Sequence, residues 1–293
     1  MFNSQDRHRV GLIQIHLAVL LAGGAGLFAK FLAVSPAVLT AGRTVFGCLA
    51  LLVFAVATRC DLRIRGAKDV AILILSGAVL AVHWATFFHS IQMSTVAIGL
   101  LAFSAFPLFT TLLEPFVFQE PLQRHDIASA VVVTAGLVLV TPSTDFHDAL
   151  TQGVLWGLLS ALTYSVLSLL SRVQAGRYPA AMVSFYQQGV AALMTLPFAL
   201  GWQGGLSLRD ASLLVVLGVV FTGLAQSLVV ASLRHLRART TSIVFGLEPV
   251  YGILLAWLAL HERPAGRTVL GGVLILGAVL WASWQSAIKK KRE

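Results

Sequence analysis

The sequence is poor in charged residues, and this shortage restricts the kind of protein that it can encode. Only 11% of its 293 residues are charged, whereas soluble domains carry about 25%. With 57% hydrophobic residues, a soluble body of this size would have no interior large enough for its apolar side chains. The composition therefore argues against a soluble enzyme and favours a protein whose apolar residues face lipid or one another.

Several chemical signatures are missing as well. The two cysteines, Cys48 and Cys60, suggest no disulfide framework, and the Cys and His spacings match no metal site. The sequence has no Gly-rich Lys-Ser/Thr phosphate loop, which argues against ATP-driven transport, and no G-x-S-x-G motif. We expect no cofactor, no metal and no enzymatic activity. The net charge of +9 does not indicate a nucleic-acid partner, because the basic residues lie in short segments between apolar runs.

Those apolar runs are long enough to cross a bilayer, which requires about 20 residues. The sequence predicts an all-α membrane protein with ten transmembrane helices, near residues 11–32, 36–58, 69–89, 94–118, 126–141, 152–171, 180–200, 210–230, 240–260 and 267–287. The first run follows a basic N-terminus but is too long for a signal peptide, so we interpret it as a retained helix.

The basic residues predict the orientation. With the N-terminus inside, 16 Lys and Arg residues fall in cytoplasmic segments, and the opposite loops hold only Arg209, Arg263 and Arg267. Because cytoplasmic loops are enriched in positive charge, we expect both termini to lie in the cytoplasm of a bacterial-type inner membrane. The sequence leaves the oligomeric state open.

An internal repeat is the most informative pattern. Pro107 lies 13 residues before Glu120, and Pro249 lies 13 before Glu262, so the two segments are related by an offset of 142. Matches near the same offset are Ser90 with Ser232 and Pro36 with Pro179. Five spans per half is an odd number, so the sequence predicts two inverted five-helix repeats, residues 1–145 and 146–293. Secondary transporters have this architecture and bind substrate at the repeat interface near the midplane.

The duplicated pattern resembles the drug/metabolite transporter superfamily, specifically its ten-helix EamA-type transporters. The residues that carry the resemblance are Pro36 with Arg43, Pro107 with Glu120, and Pro249 with Glu262. By overall likeness the chain is similar to the bacterial aromatic amino-acid exporters of that superfamily. The resemblance implies export by alternating access, through a central cavity lined by spans 1, 3, 4, 6, 8 and 9.

Polar and aromatic residues within the spans are the candidate substrate contacts, because buried polar groups in a membrane need a partner or a cavity. Glu248, followed by Pro249, could bind a substrate ammonium group or a coupling proton. It could equally be satisfied by neighbouring backbone or by Arg239. His83, with Trp84 and Phe87 beside it, could hydrogen-bond and stack an amino acid, or bond a neighbouring carbonyl.

Other polar residues of the spans fit either a cavity or helix packing. Gln226 could line a cavity or bond another helix, and Tyr164 belongs to a stripe in span six that fits a polar cavity or close packing beside Gly153 and Gly157. Arg43 could bind a substrate carboxylate or hold helices together.

Pliable points and gates complete the prediction. We expect hinges at Gly26, Pro107 and Pro249, where glycine or proline weakens a helix. Glu120 and Glu262 close the repeated segments, and we interpret them as gate or loop anchors, with Glu120 pairing with Arg124 and Glu262 with Arg263 or Arg267.

The predicted function is a secondary transporter that exports aromatic and other neutral amino acids, or similar small metabolites. A multidrug or other metabolite carrier of the same fold is the alternative, and an intramembrane lipid-modifying enzyme is a weaker one. An enzyme of that kind would cluster its polar residues near one interface, whereas the candidates lie across the midplane. Uncoupled facilitated diffusion is also compatible with the sequence.

Overall fold

The chain forms a bundle of helices. The computed structural model describes residues 4–119, 124–141, 143, 145–174, 177–233, 235–236 and 238–289, and among these it contains no strand. The helices are α1 Ser4–Ala25, α2 Phe28–Phe31, α3 Pro36–Ala57, α4 Ala67–Met93, α5 Val96–Phe103, α6 Phe106–Phe118, α7 Arg124–Val140, α8 Ala149–Gln174, α9 Ala180–Leu200, α10 Leu208–Gly218, α11 Ala225–Ser232, α12 Ala238–Phe245, α13 Glu248–Leu260 and α14 Gly266–Lys289. A π-helical segment, Val219–Leu224, joins α10 to α11.

Many of these helices are apolar and long enough for a membrane. Six stretches are long enough to cross it by length and composition: His8–Phe31, Pro36–Ala57, Ala67–Met93, Val96–Phe118, Ala149–Gln174 and Leu208–Ser232. Shorter apolar helices are Ile127–Val140, Glu248–Leu260 and Gly266–Ala282. The predicted all-helical membrane architecture is confirmed, and the count of ten spans stays a prediction.

The outer surface is apolar where a soluble protein would be polar. Val53 is 69% exposed, Phe116 85% and Leu193 74%. Large apolar side chains on outward faces suit contact with lipid tails, since water would disfavour a patch of this extent.

Local sequence signals set the helix ends. Ser35 accepts a hydrogen bond from the Val38 amide and is followed by Pro36, the usual order at a helix start. Thr95 caps α5 in the same way by accepting from the Ile98 amide. Ser207 and Asp210 form a reciprocal capping box at α10. Each cap satisfies a backbone amide that the helix itself leaves unpaired.

The second half repeats helix boundaries of the first. Val96–Phe103 and Ala238–Phe245 start and end at an offset of 142, as do Phe106–Phe118 and Glu248–Leu260. Both α6 and α13 carry proline as their second residue. Each ends at a left-handed residue, at Gln119 (φ 57°) and at His261 (φ 56°). The offset in the sequence thus corresponds to equal local structures.

Counterpart helices also pack against each other. α3 lies along its counterpart α9, and α7 lies along its counterpart α14, whereas α1 packs on α11 and α13, which are not its counterparts. Glycines permit the closest approaches: a Cβ at Gly271 would lie 2.6 Å from the carbonyl oxygen of Gly136. Small residues at helix contacts are the usual means of close packing in membranes, where no hydrophobic force drives helices together.

Candidate functional site

A cavity of about 450 Å³ lies inside the bundle. Its walls come from α1, α3, α4 and α5 in the first half of the chain. In the second half they come from α8, α9, the π-helical segment and α11 to α13. The spans that the family resemblance implies all contribute, and α3 and α9 contribute as well. A volume of this size is typical of small-molecule sites, which measure about 300–1,000 Å³.

Arg43 provides a buried positive charge on this cavity. The residue is 4% exposed, and its guanidinium carbon lies 3.5 Å from the centroid of the Trp84 ring, where the ring face stabilises a cation. Its Nε and Nη1 atoms have no hydrogen-bond partner within the protein. Buried donors are nearly always satisfied, yet this guanidinium lies at the cavity wall without a hydrogen-bond partner among the residues that the structure describes.

Glu248 provides the opposite charge. It is the first residue of α13, is 8% exposed and lines the cavity. Its carboxylate makes no hydrogen bond or ion pair with any other residue that the structure describes. The backbone partners considered from the sequence are therefore not used, and the side chain of Arg239 lies outside the described residues. The positive end of the α13 dipole stabilises an acidic group at this position.

Arg43 and Glu248 interact electrostatically across the cavity, but they form no salt bridge. Tyr164 lies close enough to interact with both charges. The cavity therefore presents one cation and one anion that are not paired with each other.

His83 is fully buried and joins α4 to α8. Its Nδ1 atom lies 2.9 Å from the Ser160 hydroxyl oxygen and 3.1 Å from the Ser160 carbonyl oxygen. Its Nε2 atom has no partner within the protein. The imidazole centroid is 4.5 Å from that of Trp84 and 4.9 Å from that of Tyr164. The Nδ1 atom is thus held by its polar contacts with Ser160, while the imidazole ring forms part of the aromatic wall of the cavity.

Unsatisfied polar atoms concentrate around this cavity. In the described part of the chain, five of the nine buried side-chain atoms without a hydrogen-bond partner belong to lining residues, namely Arg43, His83, Trp84 and Gln188. Gln226 also lines the cavity and donates to the Ser184 hydroxyl at 3.0 Å. Buried polar atoms left unpaired by the protein are costly, so their clustering marks the wall of this cavity as a polar region of the bundle interior.

The structure brings five of the six predicted contacts to one place. His83, Trp84, Tyr164, Gln226 and Glu248 line the cavity, and Phe87 does not. Phe87 is 1% exposed and packs between Phe88 and Phe103. Only part of the α4 face that carries His83 and Phe87 therefore lines the cavity.

The expected hinge residues lie beside helix interruptions. Gly26 lies in the turn between α1 and α2, and the breaks between α5 and α6 and between α12 and α13 precede Pro107 and Pro249 by two residues. Their role as hinges stays a prediction.

A second cavity of about 290 Å³ adjoins the first. Residues of both helix breaks line it in matched positions: 103, 104, 106 and 107 in the first half, and 245, 246, 248 and 249 in the second. Phe103, Tyr164, Ser168, Phe245 and Glu248 line both cavities. The two repeated breaks therefore face one space, and Glu248 stands at its boundary with the larger cavity.

Two polar clusters join the halves at separate places. We define the aspartate cluster as Asp69, Arg177 and Tyr178, in which the Asp69 carboxylate accepts from Arg177 and from the Tyr178 hydroxyl, both at 2.7 Å. Tyr178 is also a lining residue of the larger cavity. The cavity therefore extends from Glu248 toward the end of the bundle where α8 ends and α9 begins.

We define the lysine cluster as Lys30, Ser94, Val96 and Glu262. Lys30 donates to the Ser94 carbonyl at 2.6 Å, and the Val96 amide donates to Glu262 at 3.0 Å. Neither of the expected partners, Arg263 or Arg267, forms an ion pair with Glu262, and Arg267 instead donates to carbonyl groups at the end of α7. Burial raises the pKa of Glu262, while the Val96 amide and the charge of Lys30 act in the opposite direction. Glu120, the matching acid of the first half, lies outside the described residues.

Sequence reasoning missed some of the lining residues. Phe103 and Phe245 are counterparts at the offset of 142 and line both cavities, so the repeat itself could have identified them. Phe221 and Thr222 enter the wall through the π-helical segment, a distortion common at functional sites. The sequence gives no comparable signal for that segment.

The membrane-type helix bundle and its buried polar cavity define a class, the multi-pass membrane transporters. Comparison with known proteins gives the family. The model of the EamA-like transporter family matches residues 9–141 and again residues 151–284. The chain therefore belongs to this family, and the family resemblance read from the sequence is confirmed.

Individual relatives are distant and carry different names. An uncharacterized transporter, YxxF, of Bacillus subtilis is 27% identical over 72% of this chain and 69% of its own length. The pseudopaline exporter CntI of Pseudomonas aeruginosa is 26% identical over 73% of this chain and 75% of its own. An S-adenosylmethionine uptake transporter of Rickettsia prowazekii is 26% identical over 71% of this chain and 70% of its own length.

A solved crystal structure supports the fold. It superposes with a TM-score of 0.65 at 23% sequence identity and covers 95% of this chain and 96% of its own. At this identity the likeness extends to the fold alone.

Proposed function

We propose that this protein is a secondary transporter that exports aromatic and other neutral amino acids, or similar small metabolites, by alternating access. The observation that supports the proposal is the concentration of unpartnered polar atoms in one aromatic-walled cavity of about 450 Å³. Aromatic rings offer stacking surfaces, and the polar atoms offer hydrogen bonds, so together they suit a substrate with an apolar part and a polar part.

The arrangement of the halves supports alternating access. Each half contributes a helix interrupted at an equivalent position, and both interruptions border the second cavity. Such breaks are tolerated within a membrane where they line a cavity, and they give paired points at which the halves can tilt. The Val96–Glu262 hydrogen bond of the lysine cluster joins the two halves, and we interpret it as the closed outer gate. The larger cavity extends away from it, toward α9 and the aspartate cluster. With both termini in the cytoplasm, as proposed from the loop charges, this conformation faces inward.

The relatives bear on substrate and direction. One is named as an exporter and another as an uptake transporter, so family membership does not fix the direction. S-adenosylmethionine contains an α-amino acid group, and it therefore belongs in the panel of substrates beside phenylalanine and methionine. Export is proposed on the likeness to aromatic amino-acid exporters.

Uptake into proteoliposomes of the purified full chain tests the proposal. Labelled phenylalanine, methionine, S-adenosylmethionine and an amine drug are offered in parallel. We expect saturable phenylalanine flux that unlabelled neutral amino acids reduce. Flux of the amine drug with none of any amino acid would refute the amino-acid proposal and favour a drug carrier.

A matched pair of substitutions assigns that flux to the cavity. Ala22 lines the cavity, whereas Val53 is 69% exposed on the outer surface. Ala22→Trp fills the proposed site and is expected to abolish uptake, while Val53→Trp adds the same side chain on the lipid-facing side and is expected to preserve it. Equal uptake by the two variants would show that substrate does not pass through this cavity.

A further inference from the structure

We infer that the cavity recognises the two charged groups of an α-amino acid separately, with Arg43 binding the carboxylate and Glu248 binding the ammonium group. This inference rests on the proposed function and narrows its substrate class to zwitterions. It adds Arg43 to the substrate contacts, a residue whose role the sequence left open between substrate binding and helix packing.

The state of the Arg43 side chain carries the first half of the inference. A buried guanidinium without an acidic partner is costly, and proteins normally satisfy its donors. Here the ring of Trp84 supports one face of the group, but Nε and Nη1 are unpaired and the residue lines the cavity. A guanidinium that lines the cavity without an acidic partner is suited to a carboxylate, whose oxygens accept from its N–H groups.

The state of Glu248 carries the second half. Its carboxylate is almost fully buried, and in the described part of the chain it makes no hydrogen bond or ion pair. An ammonium group has three donors and no acceptor, so it matches a carboxylate of this kind. Because α13 begins at Glu248, the helix dipole stabilises the acid when no ligand is bound.

The relation between the two residues excludes a simple structural pair. A structural salt bridge would bring guanidinium and carboxylate into contact, which satisfies both, whereas here the two charges face a shared cavity and remain apart. A zwitterion between them satisfies both charges at once and leaves the site neutral. A ligand with a single charge would leave either Arg43 or Glu248 buried and unpaired, which is unfavourable.

Four compounds that share a phenyl ring test this recognition. L-Phenylalanine carries both groups, phenethylamine carries only the ammonium, 3-phenylpropionate carries only the carboxylate, and phenylalanine amide replaces the carboxylate by a neutral amide. Each is assayed as a competitor of labelled L-phenylalanine and by binding to the purified full chain in detergent. We expect L-phenylalanine to bind about ten- to a hundredfold more tightly than the others, the range for one hydrogen-bonded charge.

Variants distinguish recognition from a merely structural role. Arg43→Gln is expected to weaken L-phenylalanine binding about ten- to a hundredfold and to leave phenethylamine binding nearly unchanged. Glu248→Gln is also expected to weaken L-phenylalanine binding, but it should leave 3-phenylpropionate binding nearly unchanged. A structural role would instead weaken all four compounds together. Arg209→Gln removes an equal charge from an exposed position and serves as the control.

The outcomes separate this inference from the function on which it rests. Phenethylamine binding as tightly as L-phenylalanine, or an Arg43→Gln variant with unchanged selectivity, would refute zwitterion recognition and leave transport of aromatic compounds standing. Absence of binding and flux for every compound, in protein of normal helicity, would refute both. The double variant Arg43→Gln/Glu248→Gln keeps the site neutral. If a single variant does not fold, loss of zwitterion selectivity in the double variant decides the question.

Discussion

Replacing Gly23 by alanine should disturb the position of Glu248 without touching any lining side chain. Gly23 lies on α1 against the first turns of α13. A Cβ at Gly23 would lie 2.6 Å from the carbonyl oxygen of Glu248 and 2.8 Å from the amide nitrogen of Gly252. Ordinary van der Waals contact begins at 3.4 Å, so the shortfall at the Glu248 carbonyl is about 0.8 Å. Both atoms belong to the backbone, so α1 and α13 must shift relative to each other.

The expected effect has a stability part and a transport part. Overpacking of a tight contact typically costs about 1–3 kcal/mol. A shift of nearly 1 Å in a positioning group can lower a rate about a hundredfold where geometry is strict. We therefore expect Gly23→Ala to lower the thermal midpoint in detergent and to reduce the initial rate of amino-acid uptake at least tenfold.

Gly277→Ala is the matched control. Gly277 lies within α14, is exposed, and has no atom within 4 Å of the site of an added Cβ. Both substitutions raise helix propensity by the same amount, about 1 kcal/mol, so this term cancels in the comparison. If Gly23→Ala has the same thermal midpoint and the same initial uptake rate as Gly277→Ala, the close contact between α1 and α13 does not position Glu248.

Three further substitutions test the site and the two clusters. Ser160→Ala removes the hydroxyl that contacts His83 Nδ1 at 2.9 Å. We expect a several-fold rise in KM for amino-acid uptake and a stability loss of about 1 kcal/mol. An unchanged KM would contradict a role for the imidazole in substrate binding. Burial raises the pKa of Glu262, and the charge of Lys30 offsets this only in part. The Glu262 carboxylate of the closed lysine cluster therefore binds a proton more tightly than an exposed carboxylate does. Closure should therefore be most favoured below about pH 4.5, the ordinary pKa of a glutamate, and should weaken as the pH rises through the raised pKa of Glu262. Labelling of a cysteine introduced at the lining position Ala22 (Ala22→Cys) by an impermeant reagent measures this, and Glu262→Gln should abolish the pH dependence. Tyr178→Phe removes a hydroxyl from the aspartate cluster and should lower the free energy of unfolding by about 1–3 kcal/mol, and an unchanged thermal midpoint would show that the cluster does not hold the halves together.

Much of the fold followed from local patterns. The apolar runs predicted the helices to within a few residues at most ends, because length and hydropathy decide where a chain can satisfy its backbone in lipid. The 142-residue offset anticipated the matched boundaries of α5 and α12 and of α6 and α13. These features depend on neighbours in the sequence, which the sequence displays directly.

The candidate site followed only in part. His83, Trp84 and Glu248 were identifiable because polar or ionisable groups within a span are costly and need a reason. Phe87 shares a helical face with His83, yet it packs away from the cavity. Helical spacing indicates which residues share a face of a helix, but it does not indicate how much of that face lines a cavity.

The sequence by itself determined the membrane class, the helices and the duplication, since hydropathy and periodicity are properties of the chain. The tertiary structure alone decided that Arg43 rests on Trp84 and that Glu248 lines the same cavity without a salt bridge to it. It also decided that the two helix breaks share one space. Each of these facts joins residues from helices far apart in the chain. Their distances and partners follow from packing, to which the local pattern around each residue contributes no information.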